Sequence, residues 1–284
     1  MTPPQADWIV RWPTLGFLVA DWITAHCIVP DRRRKGDPFE MYDWQLWCTV
    51  NHYRVRPEAQ AGQLASAFHY RRSQVVAPQK TGKGPWSASI ICAEAVGPVV
   101  FAGWAEGGEV YRCADHGCEC GWEWEYEPGD PMGEPWATPL IQLLATSEDQ
   151  VANVYRPLKA MVKGGPLAER MKVGEQFIRI GDDGLIDVVT SSAQSRLGNP
   201  ITCALQDETG LYTATNKMIG VAETQRRGLA GMGGRALETA NGPKTLLYRT
   251  APPGAGTPGG ALIPTCIGGQ GPWGSLNHGM THAR

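Results

Sequence analysis

One stretch of this chain restricts its fold more than any other. A β-prone hexapeptide, Arg72–Ala77 (RSQVVA), runs through a turn-rich PQKTGKGP into an apolar WSASIICAEAV. The order is strand, loop, helix. Such a unit must pack its helix back onto a sheet, which predicts layered α/β architecture. The loop holds a Gly-Lys pair at the start of the helix, where free backbone N–H groups and the helix dipole favour an anion. The standard phosphate loop is G-x-x-x-x-G-K-[ST]. Here the eight positions are Ala77-Pro78-Gln79-Lys80-Thr81-Gly82-Lys83-Gly84. Gly82 lets the backbone approach phosphate oxygens, and Lys83 neutralises their charge. The first Gly is replaced by Ala77, and the magnesium-binding hydroxyl residue is replaced by Gly84. Taken alone, the stretch also reads as a surface turn with an exposed lysine.

A second stretch bears on that choice. PITCALQDETG is an apolar run over 200–205 followed by Asp207-Glu208. An apolar run of this length suits a central strand covered on both faces. Acids at its end lie where a parallel sheet places ligand groups, outside the carboxyl ends of strands. One acid there can organise magnesium and its neighbour can polarise an attacking water. The plainer reading is a strand–turn junction with solvated acids.

The rest of the chain supports alternating strands and helices. A short helix is expected within residues 41–60. Residues 97–138, rich in Gly, Pro, Trp and Glu, read as a β-rich insertion with strand patches at Pro98–Ala102 and Gly121–Tyr126. PLIQLLAT reads as a buried strand, and SEDQVANVYRPLKAMV as an amphipathic helix capped near Ser147 or Asp149. Phe177–Ile180 and Asp187–Thr190 suggest a hairpin about Gly-Asp-Asp-Gly. Residues 1–40, rich in Pro, Trp and Arg, read as an extended arm. Residues 242–284 contain ten Gly, six Pro and no Asp or Glu, and read as an irregular tail. The expected division is an arm with one helix over 1–60, a nucleotide-binding domain over 61–241, and the tail.

Composition enters at three points. A net charge of −2 argues against passive coating of nucleic acid. The basic clusters Arg32-Arg33-Arg34-Lys35, Arg71-Arg72 and Arg226-Arg227 read most simply as solvated loops or helix ends. Of eight cysteines, five are scattered singly and read as buried small hydrophobes. Cys113, Cys118 and Cys120, with His116 between them, form a weak zinc candidate, because thiolate and imidazole suit that metal. Without a long apolar run or a basic leader followed by one, no membrane span or signal peptide is expected, and the cytoplasm is the default location.

Beyond these readings, the chain resembles the ATPase domain of a phage terminase large subunit of the actinobacteriophage type. The resemblance spreads over five stretches. Asp43-Trp44-Gln45 is similar to an upstream glutamine motif, and APQKTGKGP to a deviant phosphate loop. ATSEDQVANVYRPL and VTSSAQSRLGNPITCALQDETGLYT are similar to the segments that follow, and MGGRALETANG to a coupling segment. The resemblance implies a RecA-like P-loop NTPase of the additional-strand class, with a mostly parallel sheet flanked by helices, using ATP and Mg2+. Gln45 would read adenine, Lys83 would bind phosphate, with Gln79, Lys80, Thr81, Gly82 and Gly84 beside it, Asp207 would organise magnesium, and Glu208 would activate water. Thr239 and Asn241 would couple hydrolysis to movement. Thr81 or Ser87 could supply the missing hydroxyl. Arg71, Arg72 and Arg196 are arginine-finger candidates. Double-stranded DNA, a small terminase subunit, a portal protein and a ring of identical subunits would be partners, in the host cytoplasm. The resemblance ends near Asn241, and the acid-free remainder leads to the expectation of a truncated chain without nuclease activity. The alternative is a catalytically impaired prophage remnant that binds nucleotide, DNA or terminase partners without turnover.

Overall fold

The computed structural model describes residues 10, 12–144, 146, 148–189, 199–242, 245–251 and 265–266. Two helices come first: α1 (Gly16–His26) and α2 (Asp43–His52). Strand β1 (Arg72–Ala77) leads through the Gly-Lys loop into α3 (Lys83–Val96). Four short strands follow, β2 (Val100–Trp104), β3 (Val110–Arg112), β4 (Glu123–Glu125) and β5 (Pro131–Glu134). The chain then forms β6 (Leu140–Leu144), α4 (Glu148–Gly164), β7 (Met171–Val173), β8 (Phe177–Ile180) and β9 (Gly184–Val189). The described residues end with β10 (Cys203–Gln206), α5 (Met218–Met232), β11 (Arg235–Asn241), β12 (Thr245–Ala251) and β13 (Thr265–Cys266).

Nine strands form one sheet in the order β13-β12-β1-β11-β10-β6-β9-β8-β7. Its five central strands, β1, β11, β10, β6 and β9, are parallel, and antiparallel pairs finish both edges. β11 lies between the loop-bearing strand β1 and the acid-bearing strand β10, which is the additional-strand RecA-like arrangement. The strands β2 and β5 pair with each other, as do β3 and β4, and both pairs lie outside the main sheet. They form the β-rich insertion.

The two faces of the sheet are filled by alternation. On β10 and β11, Cys203, Leu205 and Leu237 join the large core that includes α1, α2, α3 and α4. Their neighbours Ala204 and Ala236 pack with Leu229 of α5 on the other face. This period of two is what a strand buried on both faces requires. Among the described residues, no helix is long and apolar enough to cross a membrane.

Three expectations need correction or trimming. The first 40 residues contain the buried helix α1 and not an extended arm alone. Leu15, Leu18, Val19, Trp22, Ile23 and His26 are all buried, at helical i, i+3, i+4, i+7 spacing. The tail contains β12, which pairs antiparallel with β1, so its first residues are not irregular. TLLYRTA has strand propensity, but the surrounding Gly and Pro mask it in a compositional reading. The second hairpin strand begins at Gly184, three residues before the expected start. Thr190, the Ser147 cap and Arg196 lie outside the described residues.

Candidate functional site

Parallel pairing brings the ends of β1, β11 and β10 side by side. Ala77 is in register with Asn241, and Gln206 with Glu238. The residues just beyond these ends converge. Gly82, in the left-handed region at φ 94°, is the N-cap of α3, and Lys83 is its first residue. The Lys83 ammonium donates to the carbonyls of Ala77 (2.8 Å) and Pro78 (2.9 Å) and to Asn241 Oδ1 (2.9 Å). The Thr239 hydroxyl donates to Asp207 Oδ1. The Asn241 backbone N–H donates to Glu208 Oε2 (3.2 Å). One short segment of β11, Thr239-Ala240-Asn241, therefore touches Lys83, Asp207 and Glu208 together.

β11 faces both ways along this segment. Thr239 turns towards Asp207, while the preceding Glu238, 1 % exposed, turns to the α5 side. There it accepts from Arg72 (2.7 Å), Gln74 (3.2 Å) and Arg226 (3.4 Å).

A cleft of about 1010 Å³ opens over these strand ends. Gln45, residues 79–84, Asp207, Glu208 and Asn241 line it. Gln45 is buried, and both ends of its amide are bound. Its oxygen accepts from the Tyr42 N–H (2.9 Å) and its NH2 donates to the Gly82 carbonyl (3.2 Å). The residue thus ties α2 to the loop. Tyr42, 65 % exposed, stands beside it at the mouth of the cleft.

Electrostatics of the site follow from burial. Burial lowers Lys83 below its usual range, and the charges of Glu208 and Asp207 work against that shift. Burial also raises the Asp207 carboxyl, opposed by the Thr239 hydroxyl, the Glu208 backbone and Lys83. Glu208 is raised by burial and then by the Asp207 charge, against the Asn241 hydrogen bond and Lys83. Two adjacent carboxyls that lack full compensation suit a divalent cation, whose charge reverses the cost of holding both ionised. The donor set fits magnesium, with the Asp207 carboxylate as its oxygen ligand and Glu208 beside it.

The missing hydroxyl at position 84 has a steric cause. A Cβ added there would lie 2.6 Å from the backbone oxygen of Asn153 on α4. Pro157 sits inside that helix, four residues on, and has no N–H to offer the Asn153 carbonyl. The oxygen instead faces the start of α3, and glycine is what the approach permits. Of the two hydroxyls expected to compensate, Thr81 donates to Pro78 O (2.9 Å) within the loop, and Ser87 is buried in the second turn of α3. Restoring the usual motif with Gly84→Ser should therefore destabilise the chain by about 1–3 kcal/mol through overpacking. That exceeds the helix-propensity gain of about 0.5 kcal/mol over glycine. Urea unfolding measures it; an equally stable variant would show that α4 does not exclude a side chain here.

Several other residues are placed differently from expectation. Arg72 starts β1, at the end of the strand opposite the loop, and pairs with Glu238. Arg226 is half-buried and donates to Gln206 Oε1 (2.9 Å) as well as to Glu238. Neither belongs to a solvated cluster. Arg71 is exposed at the same far end of β1. Arg32, Arg33 and Arg34 are exposed, as expected of a solvated loop, and they also line the mouth of the cleft. His116 stacks on Tyr111 (centroids 4.5 Å apart) and is not grouped with the cysteines. His26 of α1 takes that position instead. No local signal marks it, because the partners are far apart in sequence.

No family model matches the chain. It is 29 % identical over 224 residues to the "Gene 13 protein" of Mycobacterium phage L5, covering 72 % of this chain and 33 % of that protein. It is 27 % identical over 143 residues to the "Gene 13 protein" of Mycobacterium phage D29, covering 50 % of this chain and 20 % of the other. The chain therefore spans a third or less of these curated relatives. Among solved structures it is similar to the HK97 bacteriophage large terminase, with a TM-score of 0.52 and 16 % identity, covering 80 % of this chain and 38 % of that one. That likeness establishes a shared fold.

Proposed function

We propose that this chain is the ATPase portion of a large terminase subunit, hydrolysing ATP to drive double-stranded viral DNA into a procapsid. The observation that carries the reading is the contact of Thr239-Ala240-Asn241 with Lys83, Asp207 and Glu208 at adjacent parallel strand ends. A phosphate loop or an acidic pair alone would support nucleotide binding. A third strand joined to both supports a site whose hydrolysis is felt by the sheet.

In this reading the loop over 79–84 cradles the phosphates, with the dipole of α3 behind it. Lys83 leaves the loop carbonyls and Asn241 to meet phosphate oxygens. Tyr42 offers its ring to the base at the cleft mouth, and Gln45 holds the loop in place for it. Asp207 would hold magnesium, which would draw charge off the phosphates when bound. Glu208, whose burial makes it more basic than an exposed glutamate, orients and accepts a proton from the attacking water. Thr239 and Asn241 register the change in charge through their bonds to Asp207, Glu208 and Lys83. DNA, a small terminase subunit, a portal protein and sister subunits in a ring are the proposed partners. An arginine finger from a sister subunit is part of that assembly.

One observation favours the second reading, a catalytically impaired nucleotide binder. α4 closes the position of the usual magnesium-binding hydroxyl. The two readings separate on turnover. Wild-type chain should bind ATP with magnesium and release phosphate faster when DNA is added, with DNA affinity falling steeply as salt rises. Lys83→Ala should weaken ATP binding roughly 10- to 100-fold, the loss of one charge-assisted contact. ATP binding without any turnover, even with DNA and partner subunits, would leave the impaired binder as the answer. Unchanged binding in Lys83→Ala would remove the loop from the site altogether.

A further inference from the structure

Far from the loop in sequence, α1 and the insertion bring four ligand-type side chains together. His26, Cys113, Cys118 and Cys120 place one imidazole nitrogen and three sulfurs within 4.8 Å of one another. His26 is 1 % exposed, and Cys113 and Cys118 are also buried. The imidazole is already oriented. Its Nδ1 lies 2.7 Å from the Trp22 carbonyl, which has no proton to give, so Nδ1 carries the hydrogen. Nε2 then presents its lone pair to the sulfurs, 3.1 Å from Cys120 Sγ and 3.3 Å from Cys113 Sγ. A metal-ligating histidine is fixed in this way, by a carbonyl on its other nitrogen.

Packing fixes the ring further. Trp22 stacks on it with centroids 4.2 Å apart, and Trp122 meets it edge-on at 5.8 Å. The Trp122 indole donates to Asp21 Oδ2 on α1 (2.9 Å), and its backbone N–H donates to Cys120 Sγ (3.5 Å). Gly117 and Gly121, at φ 76° and 78°, turn the chain so that three cysteines within eight residues face one point.

We infer that these four residues form a structural zinc site of the Cys3His type, which clamps α1 to the β-rich insertion. Three thiolates and one imidazole are the ligand chemistry of tetrahedral zinc, in which neighbouring ligand atoms stand about 3.5–3.8 Å apart at normal bond lengths. The cluster is near that size. All four positions belong to the protein, so the ion has no open position for water and serves the fold. The inference is independent of the nucleotide site. It also reassigns the histidine, since His116 lies in the same segment as the cysteines yet stacks elsewhere.

The test uses the whole chain, purified without chelator after growth with zinc. Elemental analysis should find about one zinc per chain, as a closed four-ligand site requires. Replacement by cobalt(II) should give the intense visible absorption of a tetrahedral thiolate site. His116→Ala should keep the metal. His26→Ala and Cys120→Ser should lose most of it, and His26→Cys should keep it with a stronger thiolate-to-cobalt band. Should the loss variants fold poorly, the wild type still decides: chelator should strip the metal, free three thiols and lower Tm. A wild-type chain without stoichiometric zinc, a cobalt spectrum that is not tetrahedral, a disulfide between two of the three cysteines, or metal lost from His116→Ala and kept in His26→Ala would each overturn the site.

Discussion

Glu208→Gln should lower ATP turnover by roughly 10²–10⁴-fold, the range for removing a positioned general base. Nucleotide binding should stay close to wild type, because the change leaves the loop, Lys83 and the magnesium residue Asp207 in place. Structure should also survive. Glu208 accepts the Asn241 backbone N–H at Oε2, and the amide oxygen of glutamine accepts the same bond. What disappears is the carboxylate's ability to take a proton from water. The pattern expected is a fall in kcat and kcat/KM together, which marks an interaction made in the transition state. Asp207 gives the contrast. Its oxygen accepts from Thr239 and it sits beside the buried lysine, so Asp207→Asn should weaken magnesium-dependent binding as well as turnover. Steady-state phosphate release and a fluorescent-nucleotide titration on the same samples measure both. A Glu208→Gln chain that turns over at the wild-type rate would end the general-base assignment.

The second large effect concerns stability. Glu94→Ala should cost about 3–5 kcal/mol, the usual penalty for leaving a buried partner charge uncompensated. That corresponds to a fall in Tm of roughly 10 °C for a chain of this size. Arg235 is 3 % exposed at the start of β11, and Glu94 is 2 % exposed on α3. Their ion pair spans 3.3 Å. Arg235 also donates to the His52 carbonyl (2.7 Å) and lies over the Phe68 and Tyr53 rings, at 3.9 and 4.6 Å. Glu94 accepts from the Tyr53 hydroxyl (2.7 Å) and the Trp136 indole (3.3 Å). Burial raises the Glu94 carboxyl and Arg235 opposes that shift, so the pair is mutually dependent. Removing the acid strands a guanidinium among aromatics, with α2, α3, β11 and the insertion all losing their common contact. Glu94→Gln keeps the size and much of the hydrogen bonding and should lose less. Equal Tm for Glu94→Ala and wild type would show that the guanidinium finds compensation elsewhere.

The site was legible where its signals are local. The Gly82-Lys83 pair and Asp207-Glu208 each sit at a strand end that the sequence marks by apolar residues and turns. Their union was less local: it needed β11 between β1 and β10, and Thr239 and Asn241 entered through a family resemblance and not through periodicity. α1 carried a full helical stripe, but Pro, Trp and Arg around it drew the reading towards an arm. The glycine at 84 could be seen as a departure; its cause lies 69 residues away, at Asn153, and required the packing of α4 on α3. Arg72, Arg226 and Glu238 show the same limit. Charges adjacent in sequence looked solvated because the acid that gathers them comes from another strand. His26 is the extreme case, since it joins cysteines 87 and more residues downstream.

The two-sidedness of β11 has a mechanical corollary. Glu238 is locked on one side of the sheet and Thr239 on the other. Sliding the strand by one residue, about 3.3 Å, would exchange the sides and break both sets of bonds. The strand is thus pinned against a one-residue slip from both faces of the sheet, and Arg226 ties α5 to the same strand.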